Sequence, residues 1–88
     1  MTFSVIYTTR SRKDLRRLPP GIARNCIRAI SKIKEDPLSF IKKLKGSPGA
    51  PLYSLRIGEY RAILTIEEDR LIVFILEIGH RSVIYRKY

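Results

Sequence analysis

Cysteine and histidine are almost missing from this chain, and acidic residues are scarce. The single cysteine, Cys26, excludes an internal disulfide framework, and a lone thiol suits a reducing compartment. One Cys and one His, Cys26 and His80, cannot furnish the ligands of a zinc site, so neither a metal nor another cofactor is expected. There is no glycine-rich loop followed by Lys and Ser or Thr of the kind that cradles a nucleotide. Nor is there a Ser-His-Asp or Cys-His set at a spacing that suits nucleophilic catalysis. The longest apolar run, Leu71 to Leu76, is far shorter than the ~20 residues of a membrane span, and the opening stretch holds no apolar segment of signal-peptide length. A cytoplasmic protein without membrane contact is the expectation.

What the chain does have is positive charge. Its 88 residues carry 18 Lys plus Arg against 8 Asp plus Glu, a formal charge of +10. A hydrophobic content of 44% separates it from disordered basic tails. At this length folding buries roughly 60–65% of the surface that the unfolded chain exposes, so residues 1–88 read as one small domain. The charge is uneven: residues 1–50 hold 12 basic and 3 acidic side chains, residues 51–88 hold 6 and 5. A basic first half calls for an anionic partner, and nucleic acid is the commonest, because each neutralised phosphate releases a counterion.

The order of elements follows from local pattern. Phe3 to Tyr7 is a β-rich run, and the hydroxyls of Thr8-Thr9-Arg10-Ser11 suit a helix cap. A short helix over Arg10 to Leu18 stops at Pro19-Pro20-Gly21. From Ile22 the apolar residues Ile22, Cys26, Ala29, Ile30 and Ile33 recur at helical spacing until Asp36-Pro37. Phe40 to Lys45 reads as a basic connection and Gly46 to Pro51 as a loop. Three β-rich runs follow, Leu52 to Ile57, Tyr60 to Ile66 and Leu71 to Ile78, and read as a meander. Ser82 to Tyr88 fits either a turn of helix or a short extended tail. The expected class is α+β, in the order β-α-α-β-β-β, with a helical hairpin packed on one face of a four-stranded, mainly antiparallel sheet.

Gly58-Glu59 suits a two-residue type II′ turn, and that register sets Arg56 directly opposite Arg61. Like charges so placed destabilise a sheet by up to roughly 1 kcal/mol, and an anion between them would reverse the sign. Without an anion, the guanidiniums splay into water or Glu77 on the next strand neutralises one. His80 and Arg81 follow the last strand, where functional residues often sit, and a His there can exchange protons near neutral pH. Tyr85 sits beside Arg86-Lys87, a phenol among cations. An enzyme built from these residues would act on a phosphodiester.

The segments LRRLPP at Leu15 to Pro20, KLKG at Lys43 to Gly46, LYSLRIGEYRAIL at Leu52 to Leu64 and ILEIGHRSVIY at Ile75 to Tyr85 give the chain a resemblance that covers nearly its whole length. It resembles the RelE/ParE superfamily of toxins from toxin–antitoxin pairs. The resemblance implies the RelE-like fold and, for the RelE branch, a ribosome-dependent endoribonuclease. Such an enzyme cuts mRNA in the A site by attack of a ribose 2′-OH on the adjacent phosphate. It also implies a RelB-type antitoxin, acidic and with an amphipathic helix, through which alone the toxin meets operator DNA. Arg56, Arg61, Arg81 and Tyr85 match the family's active face, with His80 beside them as a further acid–base candidate, while Ser54 stands where well-studied members carry a lysine. The RNA-contacting set would be Lys43, Lys45, Ser54, Arg12, Lys13, Arg16 and Arg17, the helical cations docking on ribosomal RNA. Two other readings share the resemblance: a ParE-type inhibitor of DNA gyrase, and a catalytically impaired homologue that only binds antitoxin or nucleic acid.

Overall fold

Each element begins or ends for a local reason. In the computed structural model, which describes residues 2–44 and 51–88, the order is β1 (Ser4–Tyr7), α1 (Thr9–Arg17), α2 (Pro20–Lys32), β2 (Ile41–Lys43), β3 (Tyr53–Ile57), β4 (Tyr60–Glu67), β5 (Ile72–His80) and α3 (Arg81–Lys87). The Thr8 hydroxyl oxygen accepts the Ser11 N–H at 3.2 Å and opens α1. Pro20 occupies the first turn of α2, where its missing N–H has no partner to lose, so the helix starts two residues before the expected Ile22. Pro37–Ser39 forms a single 3₁₀ turn leading into β2.

Among the described residues the sheet has five strands in the order β1-β5-β4-β3-β2, one more than expected. β1 runs parallel to β5 and the other pairs are antiparallel. The added strand is Ile41–Lys43, which the sequence offered only as a basic connection; it pairs Ile41 with Leu55, Lys42 with Ser54 and Lys43 with Tyr53. Three residues are too few to show alternation, and lysines on an edge strand discourage pairing with another chain. The segment left open on sequence is α3. Lys45 and most of the expected loop, Gly46 to Ala50, lie outside the described residues.

The α1–α2 hairpin covers one face of the sheet. Cys26, Ile30 and Ile33 pack there against Leu55, Ala62, Leu64, Val73, Ile75 and Ile78, all buried. Each large apolar side chain of this kind contributes about 1.5–3 kcal/mol when fully buried. Burial also pushes the Cys26 thiol pKa up, which leaves it a packing residue. Strict alternation after Val73 and Ile75 would drive Glu77 into this core and Ile78 out of it. A bulge prevents that: Ile63 pairs with Glu77 but Leu64 with Ile75, so Leu76 is the extra residue and the faces exchange.

Where β1 stops, α1 takes over the exposed edge of β5. The Thr8 hydroxyl donates to the Ile75 carbonyl at 2.9 Å, and an Asp14 carboxylate oxygen accepts the Ile78 N–H at 2.9 Å. On the opposite face α3 buries Ile84 against Gly79 and covers Ile63 and Arg61. Among the described residues no helix is long and apolar enough to cross a membrane.

Candidate active site

The Gly58-Glu59 turn fixes the register on which the site depends. Gly58 has φ +59°, a left-handed value that suits glycine at the first position of the turn. Arg56 accordingly faces Arg61 and Ile57 faces Tyr60, as the sequence implied. The two arginines behave differently. Arg56 stays exposed, whereas Arg61 is 6% exposed beneath α3. Arg61 Nη1 donates to the carbonyls of Gly58 and Tyr60, each at 2.8 Å, and Nε donates to the Tyr85 hydroxyl at 3.2 Å. Its Cζ lies 5.6 Å from the centre of the Tyr85 ring, within cation–π range. Among the described residues nothing accepts from Nη2. The guanidinium is thus anchored along two of its nitrogens, and the third is left for a ligand.

These residues line an open cleft of about 400 Å³ on the α3 face of the sheet. Arg56, Arg61 and Tyr85 form one side; Ser39, Phe40, Ile41 and Lys42 form the other, with Ser54 between them. Among the described residues no carboxylate lines it. Glu77 does not neutralise either arginine, because it is held by Arg10 at 3.0 Å, Lys87 at 2.5 Å and Tyr88 at 2.9 Å. Burial alone would raise the pKa of Glu77, but hydrogen bonds from Lys87 and Tyr88 and the charges of Arg10 and Lys87 outweigh it, and the net direction is down. The cleft therefore keeps its positive charge. Because the Tyr85 oxygen accepts from Arg61, its own proton is directed elsewhere and can serve a bound anion.

Several expected site residues lie elsewhere. His80 is the last residue of β5 and pairs with Tyr60, on the sheet face away from Arg61. Its ring meets Tyr60 edge-on at 5.5 Å, and its Nδ1 accepts the Ser82 N–H to cap α3. Arg81 is turned to the β3–β4 turn, where its Nε meets a Glu59 carboxylate oxygen at 2.9 Å. Neither lines the cleft. Arg12, Lys13, Arg16 and Arg17 are exposed on α1, across the sheet from it. Lys43 shares the face of Tyr53, also away from the cleft.

The residue that sequence reading missed is Lys42. It faces Ser54 across the strands and shares its side of the sheet, so a lysine from the edge strand enters the cleft beside the position where β3 carries the Ser54 hydroxyl. The signal was present in Lys42-Lys43, but choosing between adjacent lysines required a register that the sequence does not show. Among the described residues no group of three or more His, Cys, Asp or Glu side chains is placed to hold a metal ion.

A family model described as the ParE toxin of the type II toxin–antitoxin system parDE matches residues 5–85. The chain belongs to the RelE/ParE toxin superfamily. It is similar to toxin RelG of Mycobacterium tuberculosis, with 35% identity over 99% of this chain and 100% of the relative. It is also similar to the mRNA interferase toxin RelE of Escherichia coli, with 24% identity over 93% of this chain and 86% of the relative. Among solved structures, the toxin–antitoxin complex RelBE2 of Mycobacterium tuberculosis contains a chain that superposes with a TM-score of 0.82 at 32% identity, over 92% of this chain and 100% of the other. Both the recognition by motif and the α+β RelE-like fold agree with these matches. Among its described residues the present RelE-type toxin has five strands, with β2 supplying Lys42.

Proposed function

We propose that this toxin is a ribosome-dependent endoribonuclease that cleaves mRNA in the A site and so inhibits translation. The supporting observation is the pairing of a buried, doubly anchored Arg61 with the Tyr85 hydroxyl in a cationic cleft that no described carboxylate lines. The name of the Escherichia coli relative, an mRNA interferase, agrees with this chemistry.

In the reaction a ribose 2′-oxygen attacks the adjacent phosphorus as the bond to the 5′-oxygen breaks, which leaves a 2′,3′-cyclic phosphate and a 5′-hydroxyl. Arg61 Nη2 and Arg56 bind the phosphate oxygens and stabilise the charge that grows on them in the transition state. The Tyr85 hydroxyl gives its proton to the departing 5′-oxygen, a contribution of about 10²–10⁴-fold for a well-placed acid. The 2′-OH proton passes to water in the open cleft. Lys42 adds positive field from the facing strand. Arg81 and His80 take no direct part in this arrangement; they hold the turn and the start of α3.

The cleft is shallow and does not enclose a nucleotide chain, so the substrate must be presented already bent for attack, a proximity effect that the ribosome would provide. The exposed cations of α1 supply a docking surface for ribosomal RNA. A RelB-type antitoxin, acidic and with an amphipathic helix, neutralises the toxin and carries the pair to operator DNA. Cytoplasmic residence follows from these partners. The matched family's ParE name favours a second reading, inhibition of DNA gyrase.

One experiment separates the readings. The purified toxin is added to a cell-free translation reaction and mRNA 5′ ends are mapped, beside naked mRNA, an Arg61→Ala variant and a gyrase supercoiling assay. Ribosome-dependent cuts within codons that vanish with Arg61→Ala are expected. Intact mRNA with inhibited gyrase would establish the second reading instead.

A further inference from the structure

Phe40 is 58% exposed and takes no part in the hydrophobic core, yet its position is tightly defined. Pro37 is buried and anchors the 3₁₀ turn before it, Ser39 hydrogen-bonds Asp36, and the Phe40 N–H donates to the Pro37 carbonyl at 3.1 Å. The next residue, Ile41, enters the sheet opposite Leu55. The ring is therefore held at the cleft by its backbone, without being committed to packing.

We infer that the Ser39–Lys42 side of the cleft is a nucleobase subsite, in which the Phe40 ring stacks on a base of single-stranded RNA while Lys42 holds the neighbouring phosphate. This rests on the RNA-cleaving reading and adds to it the means by which the strand is seated. A lone exposed phenylalanine is ordinary on a protein surface. The inference comes from what converges with it: an aromatic ring, the hydroxyls of Ser39 and Ser54, and the cations Lys42, Arg56 and Arg61, all lining one cleft. A nucleotide has one group for each, since its base offers flat apolar faces and polar edges and its backbone offers phosphates. An acidic peptide would satisfy the cations and leave the ring without a planar partner. Stacking tolerates any base, so this subsite orients the strand, and polar groups of the cleft such as the Ser54 hydroxyl can favour one base edge over another.

The subsite is tested without the ribosome and without cleavage. A single-stranded RNA tetranucleotide, 2′-O-methylated to block attack and carrying fluorescent 2-aminopurine at each position in turn, is titrated with the full chain at low salt. Stacking should quench one position selectively. Phe40→Ala should abolish that quench and weaken binding roughly 5- to 150-fold, the range that loss of one base–aromatic stack gives, while Phe40→Trp retains both. Lys42→Gln should weaken binding and leave the quench at saturation intact. Circular dichroism should match wild type for each variant, since the positions are exposed. Equal quenching by Phe40→Ala and wild type, or no binding of the probe by wild type, would overturn the subsite; in the first case the ring is left for protein contact. Cleavage of mRNA in the translation assay is scored separately. Wild-type cleavage with an unaffected Phe40→Ala variant overturns the subsite alone, and absence of cleavage by wild type overturns the nuclease reading itself.

Discussion

At the scale of single residues, the chemistry depends on how Arg61 divides its donors. Two nitrogens bond to Gly58, Tyr60 and Tyr85, and among the described residues the third has no acceptor, which in the proposed reaction frees it for the phosphate. A lysine at this position keeps the charge but cannot make those bonds in one plane. Arg61→Lys is expected to lose about 10²–10³-fold in cleavage rate on programmed ribosomes, comparable to removal of a preorganised donor. Tyr85→Phe keeps the ring over the guanidinium and removes only the hydroxyl, so a loss of about 10²–10⁴-fold with unchanged binding is expected in single-turnover kinetics. Glu77 bears on stability instead. Its folded-state pKa lies below the ordinary glutamate value, so its stabilising contribution is fully present above about pH 4.3 and is lost as pH falls through the folded value. Glu77→Gln should cost about 1–3 kcal/mol near neutrality. Urea titrations between about pH 3 and pH 7 should show a shallower acid-side decline for the variant than for wild type.

At the scale of elements, α3 decides whether the cleft exists, because it carries Tyr85 and roofs Arg61. Its attachment rests on Ile84, buried against Gly79, and on Lys87 and Tyr88 bonded to Glu77. Ile84→Ala is expected to cost about 2–5 kcal/mol and to reduce cleavage further than its stability loss alone predicts. A Cβ on Gly79 would sit 3.4 Å from Ile84 Cδ1, an ordinary van der Waals distance, so Gly79→Ala should leave stability and activity near wild type, whereas Gly79→Leu should displace the helix and abolish cleavage. Thermal melts paired with cleavage assays check both. This helix is also where the sequence was least informative. SVIYRK has only Ile84 buried, too little for periodicity to show. The β3–β4 hairpin was legible, because Gly58 sets its turn and long alternating strands fix its register. β2 was not, nor was the choice of Lys42 over Lys43, since three residues carry no pattern. Strand-end position and the family resemblance both point to His80 and Arg81 as catalytic, and neither shows where the two side chains turn. Pairing places the first on the far face, and Glu59 engages the second.

At the scale of the whole molecule, positive charge lies on both sides of the sheet. The cleft holds Lys42, Arg56 and Arg61 on one face, while Arg12, Lys13, Arg16 and Arg17 stand on α1 across from it. Two separate roles are therefore expected. Reversing Arg12 and Arg16 to Glu should weaken ribosome association and flatten its salt dependence, by about 0.7–0.9 on a log–log plot for each phosphate no longer neutralised, without moving the cleavage position within the codon. Titrations at several salt concentrations, with 5′-end mapping alongside, measure both. The parallel pairing of β1 with β5 also has a consequence in time. Thr8, at the end of the first strand, finds the Ile75 carbonyl 67 residues further along the chain. At about 5–20 residues per second a ribosome needs roughly 3–13 s to synthesise that interval. Throughout it β1 has no strand partner and α1 no sheet edge to cover, and Tyr85 is added only afterwards. During its own translation the chain thus completes neither its parallel strand pair nor its cleft until nearly all of it has been made.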